Sequence, residues 1–288
     1  MQYETPAAFR AALDARLANR ARDTGIDLQR LRRRVVFERL LVRLDLGAPE
    51  RWIVKGGMAL EVRLGDRARS TRDLDLALRD ADVDGAVVRE LVIDCVSHDA
   101  EHDWFEFLVG QPTSISPDDA GRPGWRFEVN ARLGGQTFAR VRLEVVARAD
   151  EITKTRRVDL PGVLDFVGLP THKVEIVDPE QHFAEKMHAL TRTYGDRPNS
   201  RVRDLPDLVL LIEDGLQPTP GLRDVVAHVF AERATHGLPR VLPEPPVSWR
   251  DDYSGAAGDM DVSARTLDAA MDLVRGFWEE LQSNGEES

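Results

Sequence analysis

Two aspartates separated by one residue offer the most specific chemistry in this sequence. Asp73 and Asp75 fall within residues 71–78, where polar and apolar residues alternate with a period of two. This alternation predicts a β-strand that carries both carboxylates on one face. Two carboxylates at i and i+2 repel each other unless a cation lies between them. The pair is therefore a candidate site for a divalent cation such as Mg²⁺, which prefers one or two carboxylates together with phosphate oxygens and water.

A pair of glycines, Gly56 and Gly57, lies upstream of the aspartates. They follow a short predicted strand and precede a short predicted helix, so we expect them to form a turn. Glycine lets the backbone approach a ligand closely, and the N-terminus of the following helix directs free N–H groups toward an anion. The alternative is an ordinary turn followed by two solvated aspartates in ion pairs with Arg69 and Arg72.

The order and spacing of these residues resemble the first motif of the polymerase-beta-like nucleotidyltransferases, a Gly-Gly or Gly-Ser turn followed by Asp-x-Asp on a strand. More closely, residues 55–60 and 69–75 are similar to the AbiEii/AbiGii-type toxin nucleotidyltransferases of type IV toxin–antitoxin systems. The resemblance implies that Asp73 and Asp75 are catalytic and hold Mg²⁺ or Mn²⁺. It also implies contacts with the phosphates of an NTP substrate by Gly56, Gly57 and Thr71.

Two later elements extend the resemblance. Lys186, on a helix predicted for residues 179–194, either lies along the apolar surface with its amine in water or holds a triphosphate. The family has a lysine in a similar Glu-Lys element, which implies a catalytic, nucleotide-binding role for Lys186. Residues 201–208 match the family pattern Arg-x-x-Asp-Leu-x-Asp-Leu. The match implies that Asp204 completes the acidic cluster and makes Asp207 a further candidate, although both residues could instead stabilise a helix N-terminus.

A third carboxylate is predicted on a β-hairpin whose turn is formed by residues 134–136. Polymerase-beta-like enzymes often use a carboxylate from a neighbouring strand as general base toward the attacking hydroxyl. The resemblance gives this role to Glu144. The alternative is a surface ion pair between Glu144 and Arg142.

Other enzyme classes are excluded by their missing motifs. His182 and His188 are six residues apart on a predicted helix and cannot share a metal, so we interpret them as ordinary helix residues. The sequence has no Gly-x-Ser-x-Gly elbow, which excludes a serine hydrolase. It also lacks a Walker lysine and a Gly-x-Gly-x-x-Gly fingerprint, features of P-loop NTPases and dinucleotide oxidoreductases.

The composition favours a folded protein in a reducing compartment. The 288 residues are 42% hydrophobic and 31% charged, which is inconsistent with disorder as the dominant state. No apolar run approaches the roughly 20 residues of a membrane span, and no secretory signal is visible. Cys95 is the single cysteine, so an internal disulfide is excluded. We expect a cytoplasmic protein that does not bind membranes.

The net charge of −11 argues against a protein that coats nucleic acid indiscriminately. Any RNA contact is therefore expected to be local. Arginines are concentrated within residues 30–43, and the resemblance makes this stretch the predicted RNA-binding surface. The alternative is a solvated helix face that holds acidic partners. The candidate RNA-binding residues are Arg32, Arg33, Arg34 and Arg39.

The elements that position these residues predict an α/β (α+β) fold. The expectation is a polymerase-beta-like nucleotidyltransferase core with a mixed sheet, flanked by N-terminal helices and a C-terminal helical bundle. Residues 1–50 are predicted to form the helical N-terminal part, 51–178 the α/β core and 179–288 the helical C-terminal domain. Residues 111–123 and 239–258 are predicted to form loops.

The resemblance also implies a function. It indicates a toxin that transfers nucleotides from NTP to the 3′ end of tRNA, which blocks aminoacylation and stops translation. It further implies a winged-helix antitoxin encoded in the same operon. Two alternatives remain open: transfer to a protein or small-molecule acceptor, and a nucleotide-binding regulator without turnover.

Overall fold

The computed structural model describes residues 3–79, 84–99, 101–115, 122–147, 151–195 and 197–283. The described ranges contain one mixed sheet and two groups of helices. The predicted mixed α/β fold class is therefore confirmed.

The sheet places the strand with the two aspartates near its centre. The strand order is β3-β5-β6-β2-β1-β8-β7, and β4 pairs with β5. Strand β2 runs parallel to β6 and antiparallel to β1, which in turn runs parallel to β8. The strands are β1 (Trp52–Lys55), β2 (Asp73–Leu78), β3 (Phe105–Val109), β4 (Thr113–Ile115), β5 (Gly124–Leu133), β6 (Gln136–Val146), β7 (Thr155–Asp159) and β8 (Lys173–Val177).

Capping residues account for the limits of several helices. The side chains of Thr5, Asp27 and Asp178 accept backbone N–H groups at the start of α1, α2 and α5. Gly25 ends α1 with φ +74°, as a left-handed glycine commonly does. No helix in the described ranges has the length and apolar character to cross a membrane. The helices are α1 (Pro6–Thr24), α2 (Leu28–Gly47), α3 (Gly56–Leu64), α4 (Gly85–Ser97), α5 (Pro179–Thr191), α6 (Asp204–Glu213), α7 (Pro220–Arg233), α8 (Trp249–Ala257) and α9 (Leu267–Ser283).

The buried apolar residues form two clusters, and α3 contributes to both. Met58 and Ala59 belong to the cluster that joins α1, α2 and α4 to the sheet. Leu60 belongs to the cluster that joins α5 to α9. The N-terminal helices therefore share a core with the sheet, while most of the second cluster follows residue 178. The predicted domain limits stay a prediction, because a shared core does not define an independently folding unit.

Two segments predicted as loops contain regular structure, so those predictions were wrong. Residues 239–258 include α8, in which Trp249 and Tyr253 lie four residues apart and are buried. The many Pro, Gly and Asp residues in this segment favoured a loop, although the spacing of the two aromatic residues is helical. Residues 111–123 include β4, which pairs with β5, while residues 116–121 lie outside the described ranges.

Candidate active site

Three carboxylates lie close together on β2 and β6. The parallel register sets Asp75 opposite Glu144 and Asp73 opposite Arg142. The Asp73 carboxylate forms an ion pair with Arg142, with 2.6 Å between Oδ1 and Nε. Glu144 accepts a hydrogen bond of 2.8 Å from Nε of Arg126. The adjacent strands β2 and β6 thus bring three carboxylates together near the middle of the sheet, and two of the three have arginine partners.

The environment of Asp75 disfavours its charged form. Burial raises the pKa of Asp75 from 3.8 to about 6, and the carboxylates of Glu144 and Asp73 add to the effect. The amines of Lys55 and Lys186 oppose it. A divalent cation would relieve this repulsion, because its positive charge stabilises the ionised form of the carboxyl groups. The donor set, carboxylate oxygens beside an anion-binding helix end, fits a hard cation.

Helix α3 begins at Gly56, two residues earlier than predicted, although Gly56 itself keeps a left-handed turn conformation. Gly56 has φ +59°, and a Cβ at this position would lie 1.9 Å from Oδ2 of Asp75. A Cβ at Gly57 would lie 3.0 Å from Oγ1 of Thr71. Glycine at position 56 therefore serves both the backbone conformation and the space that the Asp75 carboxylate occupies. The free N–H groups of the first turn of α3 begin beside that carboxylate.

Lys186 lies inside the protein beside this helix end. Its side chain is 7% exposed, and Nζ donates hydrogen bonds to Oδ1 of Asp204 at 2.9 Å and to Oδ2 of Asp207 at 2.6 Å. Burial acts to lower the pKa of Lys186, but the carboxylates of Asp204 and Asp207 outweigh it and raise the pKa. The amine is therefore a fixed positive charge, as the binding of a phosphate group requires.

Asp204 and Asp207 differ in their surroundings. Asp204 is the first residue of α6 and bonds to Lys186, while the preceding residue occupies the N-cap position without a side-chain cap. Asp207 is fully buried and accepts hydrogen bonds from both Lys186 and Arg69. Burial acts to raise the pKa of Asp207, but Lys186 and Arg69 outweigh it and lower the pKa. The Asp207 carboxylate thus fixes the positions of the Lys186 ammonium and the Arg69 guanidinium groups.

A cavity of about 300 Å³ joins most of the predicted site residues. Thr71 and Asp73 line a second, adjoining cavity, and Arg69 lines both. Asp207 lies behind Lys186 and does not line the first cavity. The predicted residues that do line it are Gly56, Gly57, Asp75, Glu144, Lys186 and Asp204.

Lys55, Glu185 and His182 also line this cavity, although none of them was predicted as a site residue. Lys55 forms an ion pair of 2.9 Å with Glu185, and each is the sequence neighbour of a predicted site residue, a signal that could have identified them. His182, interpreted from sequence as an ordinary helix residue, also lines the cavity. It is 1% exposed, and neither ring nitrogen has a hydrogen-bond partner among the described residues. Burial lowers its pKa well below the ordinary value, so the ring is neutral.

Most of the predicted RNA-binding arginines are engaged within the protein. Arg39 is only 2% exposed, which argues against a contact with RNA. Arg33 differs, since it donates to the Thr71 carbonyl and to the Ser70 hydroxyl and lines the second cavity. The other ion pairs are Arg32 with Asp14, Arg34 with Glu61 and Asp66, and Arg39 with Asp103 and Glu101.

Two strand carboxylates, the start of α3 and the buried Lys186 thus line one cavity. The family model described as nucleotidyl transferase AbiEii toxin, type IV TA system, matches residues 39–273. Because this match covers most of the chain, the protein belongs to that family, as its motifs predicted. It is a nucleotidyltransferase of a toxin–antitoxin system, and membership implies an antitoxin partner and an NTP substrate. Comparison with curated proteins gives no match.

Solved structures with a similar fold share little sequence with this chain. JHP933 from Helicobacter pylori is 13% identical, with a TM-score of 0.44, over 88% of this chain and 96% of that protein. An antigenic nucleotidyltransferase-like protein from Paracoccidioides brasiliensis is 17% identical, with a TM-score of 0.37, over 80% and 97%.

Proposed function

We propose that the protein transfers a nucleotide from NTP to the 3′ end of tRNA, with Asp73 and Asp75 holding Mg²⁺ or Mn²⁺. The observation that carries this proposal is Asp75, which lies against the first residue of α3 and beside Glu144, in a cavity that Lys186 also lines. When bound, the cation would neutralise charge that develops on the transferred phosphoryl group. The protein contributes mainly orientation and fixed charge.

Asp73 and Asp75 would supply part of the cation's ligand set. Among the described residues, no three His, Cys, Asp or Glu side chains already form a metal-binding group. Mg²⁺ commonly takes one or two carboxylates and completes its shell with phosphate oxygens and water. Arg142 engages Oδ1 of Asp73, so a cation would bind Oδ2 of Asp73 or compete with Arg142 for Oδ1.

The triphosphate would bind at the start of α3. The backbone N–H groups of Gly56 and Gly57 would donate to phosphate oxygens, and Lys186 would supply a compact positive charge. The Thr71 hydroxyl donates to the Asp73 carbonyl at 3.0 Å, so a phosphate contact would require this hydroxyl to rotate.

Glu144 would act as general base. Its carboxylate is the strand neighbour of Asp75 and lines the cavity, within reach of an acceptor hydroxyl beside the cation. Removal of that proton typically contributes about 10²–10⁴-fold to a rate. Asp204 would act with Asp207 to keep Lys186 charged and oriented.

A nucleotide added to the 3′ end of tRNA would block aminoacylation and thereby translation. In this proposal the enzyme works in the cytoplasm, and a winged-helix antitoxin neutralises it. The family assignment supports the toxin role, and the local arginines around Asp73 support a nucleic-acid acceptor.

Transfer of α-labelled NTP tests the proposal. Purified protein is incubated with Mg²⁺, each labelled nucleotide, total RNA and cell lysate, and the 3′ ends of labelled RNA are sequenced. We expect label in tRNA with wild type and with Asp224→Asn, a charge-matched change at an exposed residue of α7, and none with Asp75→Asn. Label that enters protein but never RNA would contradict the tRNA acceptor.

A further inference from the structure

The second cavity, of about 830 Å³, adjoins the first cavity at β2. It is lined by the α1–α2 junction, the segment before β2 and the loop that follows α8. Asp73 lines this cavity, whereas Asp75, two residues along the same strand, lines the first one. The two cavities therefore meet at the proposed cation site, and the proposed NTP contacts leave most of the larger cavity unused.

The walls of the second cavity carry an excess of arginines. Three of them have carboxylate partners, since Arg30 pairs with Glu61, Arg69 with Asp207 and Arg142 with Asp73. Four more form no ion pair with any described residue: Arg33, Arg72, Arg203 and Arg265. The chain as a whole has a net charge of −11, so this cavity is locally more positive than the average of the molecule.

Two of the four arginines are fixed by hydrogen bonds and two are not. Arg33 donates to the Thr71 carbonyl and the Ser70 hydroxyl, and Arg265 donates to backbone carbonyls after α8. Arg72 and Arg203 are exposed, and their side chains form no hydrogen bond with described residues. Two arginine side chains are therefore held in place, and two are free to adjust. Such a combination suits a ligand that carries several separated negative charges.

The acidic residues of this cavity are distributed unevenly. Asp27 caps α2, and Asp66 pairs with Arg34. Asp259 and Asp261 are exposed on the loop after α8, whereas Arg33 lies on α2 and Arg72 lies just before β2. We therefore expect an anion to bind along the wall that Arg33 and Arg72 share with the start of β2.

We propose that this cavity binds the phosphodiester backbone of the RNA acceptor next to its 3′ end. This inference rests on the proposed function. An acceptor hydroxyl must reach the nucleotide near Asp73, and the rest of the strand must then leave on the side of Asp73 that faces the arginines. A protein hydroxyl brings no phosphates and would leave these arginines without ligands, so the cavity favours RNA over protein as acceptor.

The ion pair between Arg142 and Asp73 would couple the two cavities. If Asp73 turns toward the cation, Arg142 loses its carboxylate and becomes a further cation facing the acceptor. Binding of nucleotide with cation is thus expected to strengthen binding of RNA.

The double variant Arg72→Ala with Arg203→Ala tests the cavity. Both side chains are exposed and form no hydrogen bonds with described residues, so the fold should be retained. The control is Arg223→Ala with Arg240→Ala, which removes the same charge outside both cavities. Binding of a fluorescent RNA hairpin with a single-stranded 3′ end is measured across a series of KCl concentrations, and binding of a non-hydrolysable NTP is measured separately.

We expect the cavity variant to weaken RNA binding roughly tenfold at low salt and to reduce the slope of log Kd against log[KCl] by about 0.7 for each arginine. Its affinity for NTP and its melting temperature should match those of the control. RNA binding equal to that of the control would overturn the cavity assignment, and so would an equal loss of NTP affinity. If wild type labels no RNA at all, the proposed function fails and the cavity assignment fails with it. If wild type labels RNA but the cavity variant binds RNA normally, only the cavity assignment fails.

Discussion

At Asp75 the protein keeps a carboxylate where its charge is unfavourable. Burial and the neighbouring carboxylates Glu144 and Asp73 raise its pKa to about 6. A carboxylate on an exposed strand face, away from other carboxylates, would experience neither effect. Perturbed carboxylates of this kind are concentrated at functional sites, because catalysis and ligand binding need groups that the fold alone does not favour.

The raised pKa predicts a pH dependence of nucleotide transfer. In the proposed function the ionised form of Asp75 binds the cation, and Asp75 keeps its proton until the pH rises through about 6. We therefore expect kcat/KM to fall as pH decreases below about 6 and to level off above it, since this parameter reports the free enzyme. A pH–rate profile measures this limb. An acidic limb near 4, the usual range of an exposed carboxylate, would contradict the assignment.

Gly56 can be tested against a second glycine that also has a positive φ. Gly56 and Gly65 have φ near +60°, but only at Gly56 would a Cβ collide with Asp75, while at Gly65 it would meet open space. Alanine at either position should cost about 1–3 kcal/mol of unfolding free energy. We expect Gly56→Ala to lower nucleotide transfer at least about 100-fold through displacement of the Asp75 carboxylate. Gly65→Ala should keep most of the activity, and an equal loss in both variants would contradict this role.

At the scale of elements, α2 shows how far charge patterns in a sequence can be interpreted. The arginine-rich stretch was predicted to bind RNA because its arginines are concentrated and the family resemblance implies an RNA acceptor. Its partners come from distant positions, and Arg39 and Arg43 both reach Asp103, which is fully buried. Tertiary ion pairs over such separations leave no local signal in the sequence. The first motif was predictable because its residues are close together along the chain.

Asp103 is expected to anchor α2 to the segment before β3. Its two carboxylate oxygens bind Arg39 and Arg43, so Asp103→Ala would leave two buried guanidinium groups without their main partner. We expect a loss of about 3–5 kcal/mol in unfolding free energy, measured by urea denaturation. The matched control is Asp268→Ala, which breaks an exposed ion pair with Arg250 and should cost about 1 kcal/mol or less. Similar losses in the two variants would contradict the anchoring role.

Glu38, which also lies on α2, is expected to make the stability of the fold depend on pH. Its side chain is buried and accepts the backbone N–H of Val163 at 2.9 Å, and burial raises its pKa to about 7. A raised carboxyl pKa means that the folded state binds the proton more tightly, so stability falls as pH rises from about 4.5 to about 7. Glu38→Gln keeps the acceptor without the charge.

The Glu38→Gln variant should therefore exceed wild type in unfolding free energy above pH 7, by up to about 3 kcal/mol, and match it near pH 4.5. Urea denaturation at both pH values measures the difference. A difference that does not change with pH would show that the buried charge of Glu38 is not its cause.

At the scale of the whole molecule, the proposed active site forms where the sheet meets the C-terminal helices. Asp75 and Glu144 come from the sheet, and Lys186 and Asp204 come from the helices. The sequence motifs named residues on both sides, and the family assignment follows from them. The sequence did not indicate the second cavity or the place of His182 in the first. Those features depend on how distant segments pack, which no local spacing encodes.

The proposed chemistry depends above all on a divalent cation held by Asp73 and Asp75 beside NTP. Electron paramagnetic resonance of Mn²⁺, titrated with protein and a non-hydrolysable NTP, measures that site directly. We expect nucleotide-dependent Mn²⁺ binding by wild type and by the exposed control Asp224→Asn, and binding weakened at least about tenfold in Asp73→Asn and Asp75→Asn. Unchanged Mn²⁺ affinity in both aspartate variants would contradict the cation site.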